Sequence, residues 1–147
     1  MESSQLIQGR PTREGVVRLL DSSGLPSQDV TDAMLEHFFY AGSTSNPHGV
    51  IGLELYGRTA LLRSLVVIPE RRQGGLATDL VRHAERYAYS HGVTSIYLLT
   101  TTAEDFFKRR GYVAAARAAA PAEIRSTREF ADLCPASSTF LVKALVS

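Results

Sequence analysis

Apolar and polar residues alternate with two different periods along the chain, and the changes of period predict its elements. Residues 5–10 indicate a short first strand. A helix follows that Thr12 can cap and Gly24 can end, because its apolar residues recur at helical spacing: Val16, Val17, Leu19 and Leu20. A second, short helix is predicted to open at Pro26, and it carries Val30, Ala33, Met34 and His37.

The middle of the chain changes to the pattern of strands. Residues 38–41 and 50–56 are predicted to be strands. Residues 42–49 between them are rich in Gly, Ser, Asn and Pro, so the two strands should form a hairpin. Residues 60–68 then form an almost continuous apolar run that only Arg63 and Ser64 interrupt. Such a run is typical of a strand in the middle of a sheet with both faces covered.

The apolar strand at residues 60–68 begins a unit of strand, helix and strand. Residues 75–91 predict a long amphipathic helix that Gly92 ends, and residues 94–100 predict a β-branched strand. The strands on either side of this helix should therefore be parallel. Four further elements complete the chain. They are a helix at residues 103–110 that Thr102 can cap, a strand at 112–115, an irregular helical stretch at 121–134 and a closing strand at 139–145. We predict one α/β domain with a mixed sheet over residues 1–147.

Composition narrows the class of protein. A chain of 147 residues with 44% hydrophobic and 21% charged residues is typical of one globular domain. The net charge of +1 argues against nucleic acid or an anionic membrane as the main partner. The single cysteine, Cys134, excludes an internal disulfide. No apolar stretch reaches the roughly 18 residues of a membrane span, and the polar N-terminus lacks a secretory pattern, so we expect a cytoplasmic protein.

Residues 66–77 run from the buried strand through a turn into the long helix, and they have the chemistry of an anion site. The first amides of a helix have no internal partner, and the helix dipole adds about half a positive charge there. Gly74 and Gly75 remove the side chains that would hold a phosphate away from those amides. Arg71 and Arg72 add formal charge beside them. A strand-to-helix turn without a ligand is the alternative.

Two common nucleotide sites do not fit this turn. A P-loop requires Lys-Ser or Lys-Thr after the glycines, where this chain has Leu76 and Ala77. A dinucleotide fingerprint requires three spaced glycines and an acidic residue at the end of the next strand. That strand ends here in three threonines, residues 100–102.

Two segments resemble the GCN5-related N-acetyltransferase superfamily. Residues 72–77, Arg-Gln-Gly-Gly-Leu-Ala, are similar to its pyrophosphate turn, Arg/Gln-x-x-Gly-x-Gly/Ala. Residues 100–112, Thr-Thr-Thr-Ala-Glu-Asp-Phe-Phe-Lys-Arg-Arg-Gly-Tyr, resemble its second landmark, usually Asn-x-x-Ala-x-x-Phe-Tyr-x-x-x-Gly-Phe. The chain departs at Thr100, where the family often has Asn, and at Phe107, where it often has the tyrosine that protonates the departing thiolate. A thiol leaves more easily than an amine, so transfer without this acid is chemically feasible.

The resemblance implies a fold, a cofactor and its contacts. The fold is one domain with a mixed sheet of about six or seven strands, about four flanking helices and two splayed parallel strands that form the cofactor cleft. The cofactor is acetyl-CoA, and no metal is implied. A backbone N–H of Val66 or Val67 would stabilise the oxyanion, which gives Val66 a catalytic role. The implied cofactor-binding residues are Leu65, Val66, Val67, Arg71, Arg72, Gln73, Gly74, Gly75, Leu76, Ala77, Thr78, Thr100, Ala103, Phe106, Phe107 and Arg109.

A narrower resemblance points to the acceptor. Five segments look like parts of short acetyltransferases associated with arsenic resistance. They are Leu-Leu-Arg-Ser-Leu-Val-Val at residues 61–67, Leu-Leu-Thr-Thr-Thr-Ala at 98–103, Pro-Ala-Glu-Ile-Arg-Ser-Thr at 121–127, Glu-Phe at 129–130 and Leu-Cys-Pro at 133–135. That group is in turn similar to amino-acid N-acetyltransferases of the glutamate type. The resemblance implies an amino acid or an amino-acid-like antimetabolite as acceptor, and an arsenical could contact Cys134.

Two charged residues in the predicted sheet are candidates for chemistry at the acceptor. Glu54 lies in mid-strand and could be the base that takes the proton of the amine; its alternatives are a solvated face or a partner for Arg63. Arg63 could bind a substrate carboxylate in a fork, or pair with Glu54 or another acid, because an unpaired charge in an apolar strand is costly. Tyr56 and Arg117 are further candidate substrate contacts, with core packing and solvated surface as their alternatives.

Three functions are compatible with these features. The first is an N-acetyltransferase that moves an acetyl group from acetyl-CoA to the amine of a small molecule. The second is a non-catalytic acetyl-CoA-binding or sensing domain, motivated by Phe107. The third is another phosphate binder, such as a nucleotide protein. We expect a monomer or a homodimer, in which the apolar closing strand, residues 139–145, could pair across the dimer.

Overall fold

The computed structural model describes residues 6–146, so Gln5 of the predicted first strand lies outside the described part. Seven strands are described within that range: β1 (Ile7–Gly9), β2 (Phe38–Gly42), β3 (Pro47–Tyr56), β4 (Thr59–Val67), β5 (Ser95–Thr100), β6 (Val113–Ala114) and β7 (Thr139–Ala144). The α-helices are α1 (Arg13–Ser22), α2 (Leu76–Ser90), α3 (Glu104–Lys108) and α4 (Ala122–Arg125). Short 3₁₀ or π-helical turns occupy Ala33–His37, Pro69–Arg71, Arg117–Ala119 and Glu129–Leu133.

The strands form one mixed sheet in the order β1-β2-β3-β4-β5-β7-β6. β4 and β5 are parallel, with Thr59–Leu61 beside Ser95–Tyr97, whereas the pairs β1–β2, β2–β3, β5–β7 and β6–β7 are antiparallel. The predicted α/β class, the mixed sheet of six or seven strands and the hairpin of β2 and β3 are therefore confirmed. The predicted parallel pair around α2 is also present.

The chain divides into two compact units, and the first holds the residues up to Glu54 together with Leu62–Tyr87. In this unit Thr12 caps α1 as predicted, because its hydroxyl accepts the amide of Gly15. A core of nine buried side chains lies on α1, the following loop and the sheet: Val16, Leu19, Leu20, Val30, Leu35, Phe38, Tyr40, Val50 and Val66. Gly49 lets α2 approach β3, since a Cβ there would lie 3.1 Å from Leu76 and Leu80.

The predicted second helix is wrong in its extent. Residues 26–32 form an irregular turn, and only Ala33–His37 is helical, as a 3₁₀ turn. Side-chain bonds hold the turn instead: Ser27 Oγ donates to Asp21 at 2.6 Å, and Arg13 Nε donates to the carbonyl of Val30 at 2.8 Å. Side-chain hydrogen bonds of this kind compete with the backbone hydrogen bonds of a helix, so residues 26–32 form a turn instead of the predicted helix.

The second unit holds Leu55–Leu61 and the chain from Ala88 onward. Its core combines Leu61, Ala120, Ile124 and Phe140, with Tyr97 stacked on Phe140 at a centroid distance of 5.5 Å. The irregular helical stretch predicted for residues 121–134 is confirmed as α4 and one π-helical turn.

β7 corrects the predicted dimer contact. This strand pairs with β5 over its whole length and with β6 at Leu141 and Val142. It is an interior strand of the sheet, so its edges are not available to a second chain. The prediction that the closing strand could pair across a dimer is wrong.

The cap of α3 differs from the predicted one. Ala103 is the N-cap residue, and no side chain caps the helix. Thr102 is exposed, and the hydroxyl of Thr100 accepts the amide of Ala103 at 2.9 Å, just before the helix begins. α3 is tied to β7 by Glu104, which accepts from the hydroxyl of Thr139 at 3.1 Å. A hydrogen bond from Lys108, followed by the one from Thr139, holds the pKa of Glu104 below its ordinary value.

Replacing Thr100 with Val should lower the free energy of unfolding by about 1 kcal/mol, because the amide of Ala103 loses its hydrogen-bond acceptor in the turn before α3. Urea unfolding followed by circular dichroism measures this change. Thr102→Val is the matched control and should change stability by less than about 0.5 kcal/mol. Equal losses in the two variants would contradict a stabilising role of the bond between Thr100 and Ala103.

Candidate functional site

Arg63 of β4 is the centre of a buried charged cluster in the first unit. Its side chain is 0% exposed, and those of its partners Asp29 and Glu54 are 6% and 11% exposed. Nη1 and Nη2 donate to the two carboxylate oxygens of Asp29 at 2.5 and 2.7 Å. Nη1 also donates to Glu54 Oε2 at 2.8 Å, and Nε donates to Ser64 Oγ at 3.0 Å. We call Asp29, Glu54, Arg63 and Ser64 the Arg63 cluster.

The backbone of β4 is bent within this cluster. Ser64 has a φ of 64°, in the left-handed region that non-glycine residues seldom adopt. In a regular strand neighbouring side chains point to opposite faces, but here Arg63 and Ser64 are both buried and hydrogen-bonded to each other. The strand therefore departs from regular extended geometry at Ser64. Ser64 lies directly before Leu65, Val66 and Val67, the predicted thioester strand.

The Arg63 cluster decides between the alternatives that the sequence left open. Glu54 does not lie on a solvated face, because its side chain is largely buried and bonded to Arg63. The fork of Arg63 holds the carboxylate of Asp29, so the structure shows the ion pair with an acid. Asp29 was missed because it lies in the loop that the sequence pattern assigned to a helix. The signal that could have found it is the cost of an unpaired arginine in an apolar strand, which requires an acid nearby.

The predicted anion turn lies between β4 and α2 and is open to solvent. Arg71, Arg72, Gln73, Gly74 and Gly75 are all exposed. Gln73 and Gly75 have φ values of 71° and 86°, so the chain passes through two left-handed residues before the helix. The Cβ of a side chain at Gly75 would meet no atom within 4 Å, so glycine is required there by its φ and not by crowding.

The amides at the start of α2 point out of the helix. Its first internal bond runs from the amide of Asp79 to the carbonyl of Gly75 at 3.0 Å. The amides of Leu76 and Ala77 precede that bond, and such amides have no acceptor inside a helix. Arg72 is held against the end of β4, because its Nε donates to the carbonyl of Val67 at 2.9 Å. This arrangement fits a diphosphate, since it combines open backbone amides with two arginines.

The predicted cofactor residues of the second unit lie on or next to α3. Phe107 is 4% exposed and packs edge-on against Phe106 and Tyr112, at centroid distances of 5.1 and 5.4 Å. The guanidinium of Arg110 lies 3.7 Å from the ring centre of Phe106. Arg109 is exposed. Phe107 is thus a core residue without a hydroxyl, and the cofactor contacts expected of Phe106, Phe107 and Arg109 stay predictions.

Tyr56 and Arg117 have packing partners in the second unit. Tyr56 packs against the core formed around Leu61 and Phe140. Nη2 of Arg117 donates to the carbonyls of Pro135 and Ser138 at 3.3 and 2.8 Å, and its guanidinium lies 5.4 Å from the ring centre of Phe130. Arg117 thereby holds the segment before β7 through its backbone carbonyls. The substrate contacts expected of Tyr56 and Arg117 stay predictions.

The side chains of Cys134 and His37 contact other polar side chains. Cys134 is partly exposed, and its Sγ lies 3.6 Å from Oε1 of Glu129. Nδ1 of His37 lies 2.7 Å from the hydroxyl of Tyr87.

Within residues 6–146, no group of three or more His, Cys, Asp or Glu side chains could hold a metal ion. In the same described range, no helix is long and apolar enough to cross a membrane.

Comparison with protein-family models finds one match. Residues 17–112, more than half of the chain, match the model of the acetyltransferase (GNAT) family. The matched range includes the Arg63 cluster, the anion turn and α3. A curated relative, an uncharacterized N-acetyltransferase of Chlorobaculum tepidum named CT2212, is 32% identical over 93 residues, which cover 60% of this chain and 59% of the relative.

Solved structures share the fold. N-acetylglutamate synthase from Neisseria gonorrhoeae, complexed with coenzyme A and N-acetyl-glutamate, matches with a TM-score of 0.81 and 20% identity, over 100% of this chain and 36% of its own. Rv2747 from Mycobacterium tuberculosis, in a complex that contains CoA, matches with a TM-score of 0.77 and 17% identity, over 96% and 99% of the two chains. The chain therefore spans about a third of the synthase and about three fifths of the curated relative.

Proposed function

Since the chain belongs to the acetyltransferase (GNAT) family, we propose that it is an N-acetyltransferase that moves an acetyl group from acetyl-CoA to the amine of a small molecule. The observation that carries this proposal is the open turn before α2, with its two left-handed residues and its exposed arginines. Solved structures with the same fold contain coenzyme A, which supports the choice of donor.

Acetyl-CoA would supply an activated thioester, and the chain would bind its diphosphate at the turn. The backbone amides of residues 73–77 and the side chains of Arg71 and Arg72 are the proposed contacts, with Leu76 and Thr78 beside them. Leu65, Val66 and Val67 would lie along the pantetheine arm, and the N–H of Val66 would stabilise the oxyanion. Thr100, Ala103, Phe106, Phe107 and Arg109 complete the proposed donor contacts.

Gly75→Ala should weaken CoA binding by about tenfold, because alanine disfavours the left-handed φ of 86° and the turn must change to relieve the strain. Isothermal titration with CoA measures the dissociation constant. Gly57→Ala is the matched control: Gly57 also has a positive φ, of 68°, and open space around it, but it lies in the turn between β3 and β4. Equal effects of the two substitutions, or none at Gly75, would count against a diphosphate on this turn.

Glu54 is the proposed base at the acceptor end. An amine attacks a thioester only when it is neutral, so a group that takes its proton accelerates the reaction. The carboxylate of Glu54 is the most exposed member of the Arg63 cluster, with 11% of its side chain accessible. The proton of the amine would move to Glu54, and the thiolate would leave without a tyrosine acid, in agreement with Phe107 at the family's tyrosine position.

We propose an amino acid or an amino-acid-like antimetabolite as acceptor, with Tyr56 and Arg117 as its further contacts. The sequence resemblance supports this class, as does the fold shared with a synthase whose complex contains N-acetyl-glutamate. The fork of Arg63 is occupied by Asp29, so an acceptor carboxylate needs another anchor. An acceptor that carries arsenic could contact the partly exposed thiol of Cys134.

The proposed reaction is tested by following thiol release from acetyl-CoA in the presence of single amines: the amino acids, phosphorus- and arsenic-containing analogues, and simple alkylamines. At least one amine should accelerate release, and mass spectrometry should detect its N-acetyl product. Binding of CoA without any accelerated release would instead support the sensing domain. Tighter binding of ATP than of CoA would support a nucleotide protein.

A further inference from the structure

Asp29 is held in place by the loop that carries it. Residues 27–30 form a turn in which the amide of Val30 donates to the carbonyl of Ser27 at 3.2 Å. Ser27 is bonded to Asp21 at the end of α1, and the carbonyl of Val30 accepts from Arg13 at the start of α1. Loops are usually the most mobile parts of a domain, but this one is fastened to α1 on both sides of Asp29.

The guanidinium of Arg63 is bonded through all three of its nitrogens. The end-on fork to Asp29 uses Nη1 and Nη2, and Nε is bonded to Ser64 of the same strand. A planar guanidinium held at both edges cannot rotate, so the remaining hydrogen of Nη1 has a fixed direction. That direction leads to Oε2 of Glu54 at 2.8 Å.

We propose that Asp29 is a positioning residue of the transfer reaction: by holding the fork of Arg63 it directs Nη1 at Glu54 and thereby fixes the orientation of that carboxylate. The inference rests on the proposed function, in which Glu54 takes the proton of the amine. Of the three charged side chains, Glu54 is the most exposed at 11%, against 6% for Asp29 and 0% for Arg63. Asp29 therefore acts from the interior, through Arg63, and does not itself meet the acceptor.

The role depends on the charge of Asp29 more than on its shape. With one arginine between two carboxylates, the guanidinium is shared: its fork holds Asp29, and Glu54 accepts from Nη1. Without the charge of Asp29, both terminal nitrogens of Arg63 would turn toward Glu54, the other carboxylate that pairs with it. The carboxylate of Glu54 would then be drawn into the fork and away from the amine.

The test compares two substitutions of Asp29. Asp29→Asn keeps the shape of the side chain and removes its charge, whereas Asp29→Glu keeps the charge and changes the shape. The amine that the wild-type protein acetylates fastest is used to measure kcat and KM, and titration with CoA measures donor binding. We expect Asp29→Asn to lower kcat by roughly 10- to 100-fold, because a misplaced catalytic group costs a factor of this size. Asp29→Glu should retain more activity than Asp29→Asn.

Donor binding separates positioning from a general loss of structure. The dissociation constant of CoA should change by less than about twofold in both variants, because the turn before α2 is not altered. Asp32→Asn is the matched control: Asp32 is exposed, lies in the same segment and makes no side-chain cap, so kcat should be unchanged. Melting curves show whether each variant is folded at the assay temperature. If Asp29→Asn is unfolded, Arg63→Lys, which keeps the charge but has no fork, should show the same loss of kcat.

Unchanged kcat in Asp29→Asn would overturn the inference, as would lower activity in Asp29→Glu than in Asp29→Asn. A loss of kcat accompanied by an equal loss of CoA affinity would reduce Asp29 to a structural residue. An inactive wild-type protein that binds CoA is a different result, because it contradicts the proposed function itself.

Discussion

Replacing Glu54 with glutamine is expected to lower kcat by roughly 10²- to 10⁴-fold, the range that a general base contributes. Glutamine has nearly the same shape, and its amide oxygen can still accept the hydrogen bond from Nη1 of Arg63, so the variant should fold. It cannot take a proton from the amine at neutral pH. Steady-state kinetics with the best amine measure the loss, and the dissociation constant of CoA should stay within about twofold of the wild-type value.

Glu36→Gln is the matched control for this prediction. Glu36 is exposed, and its closest cationic partner is Arg10 at 3.9 Å, so the substitution should leave kcat unchanged. If Glu54→Gln retains kcat within about threefold while the wild-type protein is active, the base is another group or a chain of water molecules. The Arg63 cluster would then be a structural feature of β4.

Replacing Arg63 with leucine should lower the free energy of unfolding by about 3–5 kcal/mol, which is the cost of breaking a buried ion pair by removing one partner. The substitution leaves the carboxylates of Asp29 and Glu54 buried beside each other without a counter-charge. It also removes the donor to Ser64 in the bent part of the strand. Urea unfolding, followed by circular dichroism, measures the change.

The position of Arg63 in the interior is the cause of this large effect, and a surface arginine provides the comparison. Arg128 pairs with Asp132 at 3.5 Å with both side chains more than half exposed, so Arg128→Leu should change stability by less than about 1 kcal/mol. A neutral cluster should recover stability, because Asp29→Asn, Glu54→Gln and Arg63→Leu together bury no net charge. Equal losses for Arg63→Leu and Arg128→Leu would contradict the buried cluster.

The sequence predicts the strand, turn and helix of the proposed donor site well, because these elements depend on local signals. An apolar strand, two adjacent glycines and an amphipathic helix are contiguous in residues 60–91, and each element forms from neighbouring residues. The left-handed φ of Gly75 agrees with the glycine at that position. The left-handed φ of Gln73 and of Ser64 could not be predicted in this way, because neither residue type signals it.

The acceptor end depends on contacts between residues far apart in the chain. Glu54 and Arg63 could be proposed as partners, since they are nine positions apart on adjacent strands of the sheet. Asp29 is 34 positions from Arg63 and lies in a loop, so no periodicity connects them. A buried arginine requires an acid, but the sequence offers several acids and does not select one.

The same limit explains the errors in the fold. Thr102 is a plausible cap for α3 from its residue type, but the direction of the chain after β5 places Ala103 at the N-cap. β7 reads as an apolar closing strand, and only the order of strands shows that β6 covers its second edge. Strand order is a non-local property, whereas the existence of a strand follows from its own residues.

A crystal structure of the protein grown with CoA would test the central claim most directly, because the claim assigns the donor to the turn before α2. The diphosphate should lie within hydrogen-bond distance of the amides of residues 73–77, with the thiol beside Val66 of β4. A diphosphate bound elsewhere on the protein, with the turn empty, would contradict the account.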